Sequence, residues 1–201
     1  MTNVLIASNN LGKIKEFKAL LTGFGADVFS LKEMDIHADV PETGTTFREN
    51  AALKAEALSN ETGMITLADD SGLCVDALNG EPGIFSARYA GSDKNSEHNI
   101  DLLLEKLAEV PESERTAHFI CVLAISKPGQ PTHFAEGRCD GFITMERRGT
   151  DGFGYDPLFL IPDRQLTFAQ MGDDEKNKIS HRARALKQLQ EKWASWVGDA
   201  E

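Results

Sequence analysis

The chain has 201 residues, 41% of them hydrophobic, which is enough to bury a substantial core without a disulfide scaffold. Cys74, Cys121 and Cys139 are too few and too widely spaced for a disulfide framework or a zinc site, which fits a reducing cytosol. A net charge of −11 disfavours general nucleic-acid binding, and no apolar run is long enough for a signal peptide or a membrane span, so a cytoplasmic protein is expected.

In chain order, Val4 to Ala7 reads as a buried strand. It opens into Ser8-Asn9-Asn10-Leu11-Gly12-Lys13, after which Ile14, Phe17, Leu20 and Leu21 fall at helical spacing. A strand-loop-helix junction aims free N–H groups and the positive end of a helix dipole at one point, and Lys13 adds a charge there, as an anion site requires. The Walker A pattern is absent, and the same residues also read as a plain helix cap made by Asn9 or Asn10. Glu42 lies in the turn Pro41-Glu42-Thr43-Gly44. A second helix is predicted from Thr46 to Ser59, with capping-box spacing between Thr46 and Glu49 and Gly63 closing the segment. Its apolar stripe is Phe47, Ala51 and Leu58, and Lys54 falls within that stripe beside Asn50. A lysine on an inward face either snorkels to solvent or meets an anion.

Ile65 to Ala68 reads as a short strand running into an acidic turn, Asp69-Asp70-Ser71-Gly72, with Leu73-Cys74-Val75 as its continuation or return. Successive strand residues face opposite sides, so the two carboxylates should differ in environment and role. One can accept backbone N–H bonds, while the other faces a cleft, binds Mg²⁺ and accepts a proton from water. Carboxylates and phosphate oxygens are the hard ligands that this ion prefers. The same four residues are also ordinary β-turn composition.

Farther along, Ile100, Leu103, Leu104 and Leu107 mark a third helix. Ala117 to Ile125 is a long apolar strand, and beyond the Pro128-Gly129 turn Phe134 to Thr144 returns antiparallel to it. The loop from Gly149 to Pro157 sets glycines around Phe153 and Tyr155. Backbone can approach a flat ligand there and the rings can stack on it, or the rings can plug the core. Leu158 to Ile161 is another strand. Glu175-Lys176 leads to Ser180-His181-Arg182, with Ser180 as the N-cap of a helix reaching Val197 and burying Leu186, Leu189, Trp193 and Trp196. Basic residues in a first helical turn oppose the dipole, which either a bound anion or plain solvation would resolve. Strands and helices in this arrangement predict an α/β fold with a mixed sheet.

Taken together and in order, the motifs carry a resemblance. Ser8-Asn9-Asn10 to Lys13, Glu42-Thr43-Gly44, Phe47 to Lys54, Ala68 to Leu73, Pro82-Gly83 to Tyr89, Phe153 to Pro157 and Ser180-His181-Arg182 closely resemble the inosine triphosphate pyrophosphatase family, along essentially the whole chain. That resemblance implies hydrolysis of ITP, dITP and XTP to the monophosphate and pyrophosphate, which clears deaminated purines from the nucleotide pool. It implies a Mg²⁺-dependent homodimer whose partner is a small-molecule nucleotide. Residues 1–201 are then one two-lobed domain, a curved mixed β-sheet flanked by helices with the substrate cleft between the lobes.

By motif, Asp70 resembles the catalytic base and metal-bound carboxylate, Lys54 a second catalytic group, and Asp69 a supporting acid. Ser8, Asn9, Asn10, Leu11, Gly12, Lys13, Ser71 and Lys176 match positions around the phosphates and sugar. Phe153, Gly154, Tyr155, Asp156, His181 and Arg182 match the base-recognition region. His181, Arg182 or N–H groups of the Phe153 loop could reward a 6-keto purine, since a donor facing a 6-amino group would be left unsatisfied. Pro41 stands where many bacterial relatives carry the first of two glutamates, so the second metal ligand is expected at Glu42, with Asp39 as the alternative. The competing readings are a phosphatase releasing orthophosphate and a nucleotide-binding module without turnover.

Overall fold

The computed structural model describes residues 2–21 and 25–197, with Ala19 and Leu20 described by backbone alone. The expected inward place of the Leu20 side chain therefore lies outside the described residues. The elements are β1 (Thr2–Ile6), α1 (Leu11–Leu21), β2 (Ala26–Ser30), α2 (Phe47–Thr62), β3 (Ile65–Val75), α3 (Ser96–Lys106), β4 (Thr116–Ser126), β5 (His133–Ile143), β6 (Phe159–Ile161), β7 (Leu166–Thr167), α4 (Phe168–Met171), α5 (Asp173–Ile179) and α6 (His181–Val197).

The strands form one open, mixed, seven-stranded sheet in the order β2-β1-β3-β4-β5-β6-β7. β1 runs parallel to both β2 and β3, whereas β6 is antiparallel to β5 and β7. Residues 127–132 join the neighbouring strands β4 and β5. That link is too short for a parallel crossover, so the pair is the expected hairpin.

The chain folds as two compact units. The first comprises Met1–Asp70, Cys121–Gly137 and Arg182–Glu201. Its core joins Val4, Ile6 and Leu67 of the sheet to Phe17 and Leu21 of α1 and to Leu186 and Leu189 of α6. Val4, Leu5 and Ile6 are all buried, which is what a parallel strand covered on both faces requires. Each such side chain contributes about 1.5–3 kcal/mol of burial.

The second unit comprises Ser71–Ile120 and Arg138–His181. Leu73, Val75, Ile100, Leu103, Phe119, Phe159 and Phe168 make its core, with Phe119 edge-on to Phe159 at 4.6 Å. Arg115 is buried there with its charge spread over backbone. Its guanidinium donates to the carbonyls of Leu107 at 2.6 Å, Val110 at 3.0 Å and Thr144 at 3.2 Å. These bonds close the end of α3, where the last carbonyls of a helix lack internal partners.

Helix α2 starts as its sequence predicts. Thr46 Oγ1 accepts the Glu49 N–H at 3.1 Å, Glu49 Oε2 accepts the Thr46 N–H at 3.2 Å, and Gly63 ends the helix in the left-handed region. The acidic turn is corrected: Asp69-Asp70-Ser71-Gly72 is the middle of β3, and Leu73-Cys74-Val75 is its continuation. Buried Leu67 and Ala68 before the aspartates, and Leu73 and Val75 after them, pull the strand through apolar surroundings on both sides. Turn composition normally works by exposing carboxylates to water. Here cations of the fold solvate them instead.

Candidate active site

Strand register explains why the two signals in the first unit meet. Ile6 pairs with Leu67, and the Ala7 N–H donates to the Leu67 carbonyl at 2.8 Å. One step further, the loop opening at Ser8 lies level with Asp69, at the carboxyl end of β1 and midway along β3. Asn10 is the helix cap: its Oδ1 accepts the Lys13 N–H at 3.1 Å, and its own N–H donates to Ser8 Oγ at 3.2 Å. Asn9 and Leu11 are exposed and Gly12 is half-buried. The cap turns Lys13 toward β3, where its Nζ lies 2.8 Å from Asp69 Oδ2.

Asp69 is thereby the hub of a buried ion network. Arg182 Nε lies 3.9 Å from the same Oδ2, and Arg182 also pairs with Glu16 of α1. Burial works to raise the Asp69 pKa, but the charges of Lys13, Arg182 and Lys54 outweigh it and hold the carboxyl well below the usual range. The anion that resolves two basic residues at the start of α6 is thus, for Arg182, supplied by the protein itself.

Lys54 does not snorkel. Its Nζ bonds Glu42 Oε1 at 2.8 Å and the Asp69 carbonyl at 2.6 Å, and lies 4.0 Å from Asp70 Oδ1. Burial would lower its pKa, yet Asp69, Asp70 and Glu42 raise it, so it remains an ammonium. Asp70 differs from its neighbour. Burial pushes its carboxyl up to about 6, against the pull of Lys54 and Lys13 and with Glu42 and Asp69 adding to the rise. One aspartate is held as the anion, and the next can exchange a proton near pH 6, the property that general-base chemistry requires.

Glu42 and Asp70 both face the Lys54 ammonium, two carboxylates around one cation. Among the described residues no set of three or more His, Cys, Asp or Glu is gathered to hold a metal. Two carboxylates, with the rest of the coordination left to substrate oxygens and water, is how Mg²⁺ is usually held. The donor set therefore fits that ion.

The second unit holds a separate buried pair. Asp156 Oδ2 accepts from Lys176 Nζ at 2.7 Å and from the Phe153 N–H at 2.8 Å. The Lys176 ammonium also lies 4.9 Å from the Phe153 ring and 5.6 Å from that of Phe168, within cation–π range. Gly152 is required here: its φ is +79°, and a Cβ would come within 2.1 Å of Asp156 Oδ2. The Phe153 N–H, one expected donor to a purine, is thus taken by Asp156. Tyr155 plugs the core and donates to the Ser86 carbonyl at 2.9 Å, and Gly154 adopts φ +59° beside it. Ser71 is half-buried on β3. The His181 ring stacks on Phe119 at 4.7 Å.

The structure thus brings Lys13, Glu42, Lys54, Asp69, Asp70 and Arg182 together in the first unit. Phe153, Asp156 and Lys176 meet in the second. Arg182, expected with the base-recognition residues, joins the carboxylate cluster. Sequence reasoning placed Asn50 beside Lys54 without giving it a role, and passed over Glu16. Asn50 is wholly buried, donates Nδ2–H to Asp70 Oδ2 at 3.2 Å and accepts the Gly44 N–H at 2.8 Å. Its spacing of four from Lys54 on one helix face was the available signal.

A model described as the Ham1 family matches residues 4–192. The dITP/XTP pyrophosphatase of Bacillus licheniformis is 54% identical over 189 residues, 94% of this chain and 96% of its own. The dITP/XTP pyrophosphatase of Geobacillus kaustophilus is 52% identical, covering 98% of this chain and 97% of its own. Among solved structures, the Staphylococcus aureus Ham1 protein superposes with a TM-score of 0.86 at 44% identity, over 96% of this chain and 99% of that one.

Proposed function

The chain belongs to the Ham1 family, and from that premise we propose that it hydrolyses ITP, dITP and XTP to the nucleoside monophosphate and pyrophosphate, removing deaminated purines from the nucleotide pool. Relatives named for dITP and XTP pyrophosphatase activity match it over nearly their full length. The observation that carries the chemistry is Asp70, a buried carboxyl with a pKa near 6, set among Lys54, Asn50 and the permanently ionised Asp69.

In this reading Asp70 and Glu42 hold Mg²⁺, Glu42 being favoured over Asp39 because it shares Lys54 with Asp70. An ion held by these carboxylates would supply positive charge to offset the triphosphate oxygens. Asp70 orients a water on the α-phosphorus and accepts its proton. The new P–O bond forms there as the bond to the β-phosphate oxygen breaks, so pyrophosphate leaves intact. Lys13 and Lys54 offset the remaining negative charge, as a chain of net charge −11 must do locally to bind a polyanion.

Ser8 to Lys13, Ser71 and Lys176 are assigned to the phosphates and sugar. Phe153 to Asp156 and His181 are assigned to the base, with a donor from His181 rewarding the 6-keto oxygen, while Arg182 is held by Glu16 and Asp69. A homodimer follows from the family resemblance. We place it in the cytoplasm, the compartment in which cysteines without a disulfide are expected.

A nucleotide panel tests the reading. With Mg²⁺ present, ITP, dITP and XTP should release pyrophosphate at least about 100-fold faster than ATP or GTP, and EDTA should abolish the reaction until Mg²⁺ is restored. Orthophosphate as the product, or equal turnover of ATP, would sink it.

A further inference from the structure

Asn50, like Lys54, touches both segments carrying the proposed metal carboxylates, and it does so through a donor to one and an acceptor to the other. It sits on the first turns of α2, a helix whose start is fixed by the Thr46–Glu49 capping box. Glu49 Oε2 also takes the Thr45 N–H at 2.7 Å, so the chain from Thr45 onward is held in register with the helix. From that fixed base the Asn50 amide reaches in two directions. Its Oδ1 accepts the Gly44 N–H, two residues beyond Glu42, and its Nδ2 donates to Asp70 Oδ2 on β3. The side chain is fully buried, so neither bond competes with solvent.

The fit around it leaves little slack. A Cβ on Gly44 would lie 2.7 Å from Asn50 Oδ1 and 2.6 Å from Glu49 Cβ. Glycine at that position lets the loop backbone come close enough to be gripped. Asn50 also constrains the rotation of Asp70: with Oδ2 tied to the amide, Oδ1 is the oxygen near Lys54. Only an amide provides an acceptor for one segment and a donor for the other at this length; a carboxylate loses the donor and alanine loses both.

We infer that Asn50 is a positioning residue that sets the separation and orientation of Glu42 and Asp70, and so builds the metal site that neither segment would form alone. This rests on the proposed function, in which those two carboxylates hold the ion. Groups that orient metal ligands without touching the metal typically govern affinity or activity by about 10- to 100-fold.

The test compares wild type with Asn50→Ala and Asn50→Asp, using two readouts. Binding of Mn²⁺, a hard ion that stands in for Mg²⁺ at carboxylate sites, is followed by loss of the free-ion paramagnetic resonance signal. Turnover of dITP is followed by pyrophosphate release. Asn50→Ala should need about 10- to 100-fold more Mn²⁺ for half-saturation. Asn50→Asp keeps the acceptor for Gly44, and so the loop, but removes the donor to Asp70. Its kcat should fall at least about tenfold while KM for dITP stays within about threefold. Mn²⁺ affinity equal to wild type in a folded Asn50→Ala protein, or wild-type kcat in Asn50→Asp, overturns the inference. A wild-type protein that binds Mn²⁺ but releases no pyrophosphate sinks the functional reading instead, and the Mn²⁺ comparison still decides the role of Asn50.

Discussion

Two adjacent aspartates with opposite electrostatics are the centre of the account at the scale of residues. Asp69 is ionised by Lys13, Arg182 and Lys54, whereas burial keeps Asp70 protonated up to about pH 6. The linkage consequence for Asp70 in metal-free protein has a definite sign. Its folded pKa lies above the unfolded value of 3.8, so its contribution is complete below about pH 4 and is lost as pH rises through 6. A shift of about two units corresponds to about 3 kcal/mol. Asp70→Asn should therefore be more stable than wild type above pH 6 by up to about 3 kcal/mol, with the difference vanishing below pH 4, as urea melts across that range would show. The same variant should lose about 10²- to 10⁴-fold in kcat while still binding nucleotide. Near-normal turnover would remove Asp70 from the role of base. Of this site, Lys54 was legible in the sequence as a charge inside an apolar stripe, though its anion was not. Arg182 was legible as a residue at odds with a helix dipole, but its partners Glu16 and Asp69 lie 166 and 113 positions away and only the fold brings them near.

Elements show where local pattern suffices and where it does not. Helix α2 follows from its capping box and closing glycine because those signals act within a few residues. β3 does not follow: Asp-Asp-Ser-Gly carries turn chemistry, and the strand runs through it because distant cations solvate the carboxylates. β2 and β7 also escape pattern reading, being short edge strands of five and two residues with mixed burial. Just before the central strand β4, Arg115 performs a structural task no motif announces, tying three backbone carbonyls that follow α3 and β5. Arg115→Ala would take the donor from the Val110 and Thr144 carbonyls, each costing about 1–3 kcal/mol, while Leu107 keeps the Val110 N–H at 2.9 Å. A loss of at least about 2 kcal/mol in denaturant unfolding is expected; a loss under about 1 kcal/mol would mean that water replaces the guanidinium without penalty.

For the whole molecule the question is how a chain of net charge −11 manages an anionic substrate. The fold gathers Lys13, Lys54 and Arg182 within one unit but pairs them with Glu16, Glu42, Asp69 and Asp70, so in the proposed reading a divalent cation would supply the further positive charge that a triphosphate needs. The α/β class and mixed sheet were readable from alternating strands and helices, and the family from motifs spread along the chain. The division into two compact units with separate cores depends on which long strands pass from one to the other, which no local pattern encodes. In the proposed reaction water attacks the α-phosphorus, and the position of the incoming oxygen tests that most directly. Hydrolysis of dITP in heavy-oxygen water, followed by mass spectrometry of both products, should place the label in dIMP and leave the pyrophosphate unlabelled. Label in pyrophosphate or in orthophosphate would show attack elsewhere along the triphosphate and contradict the mechanism.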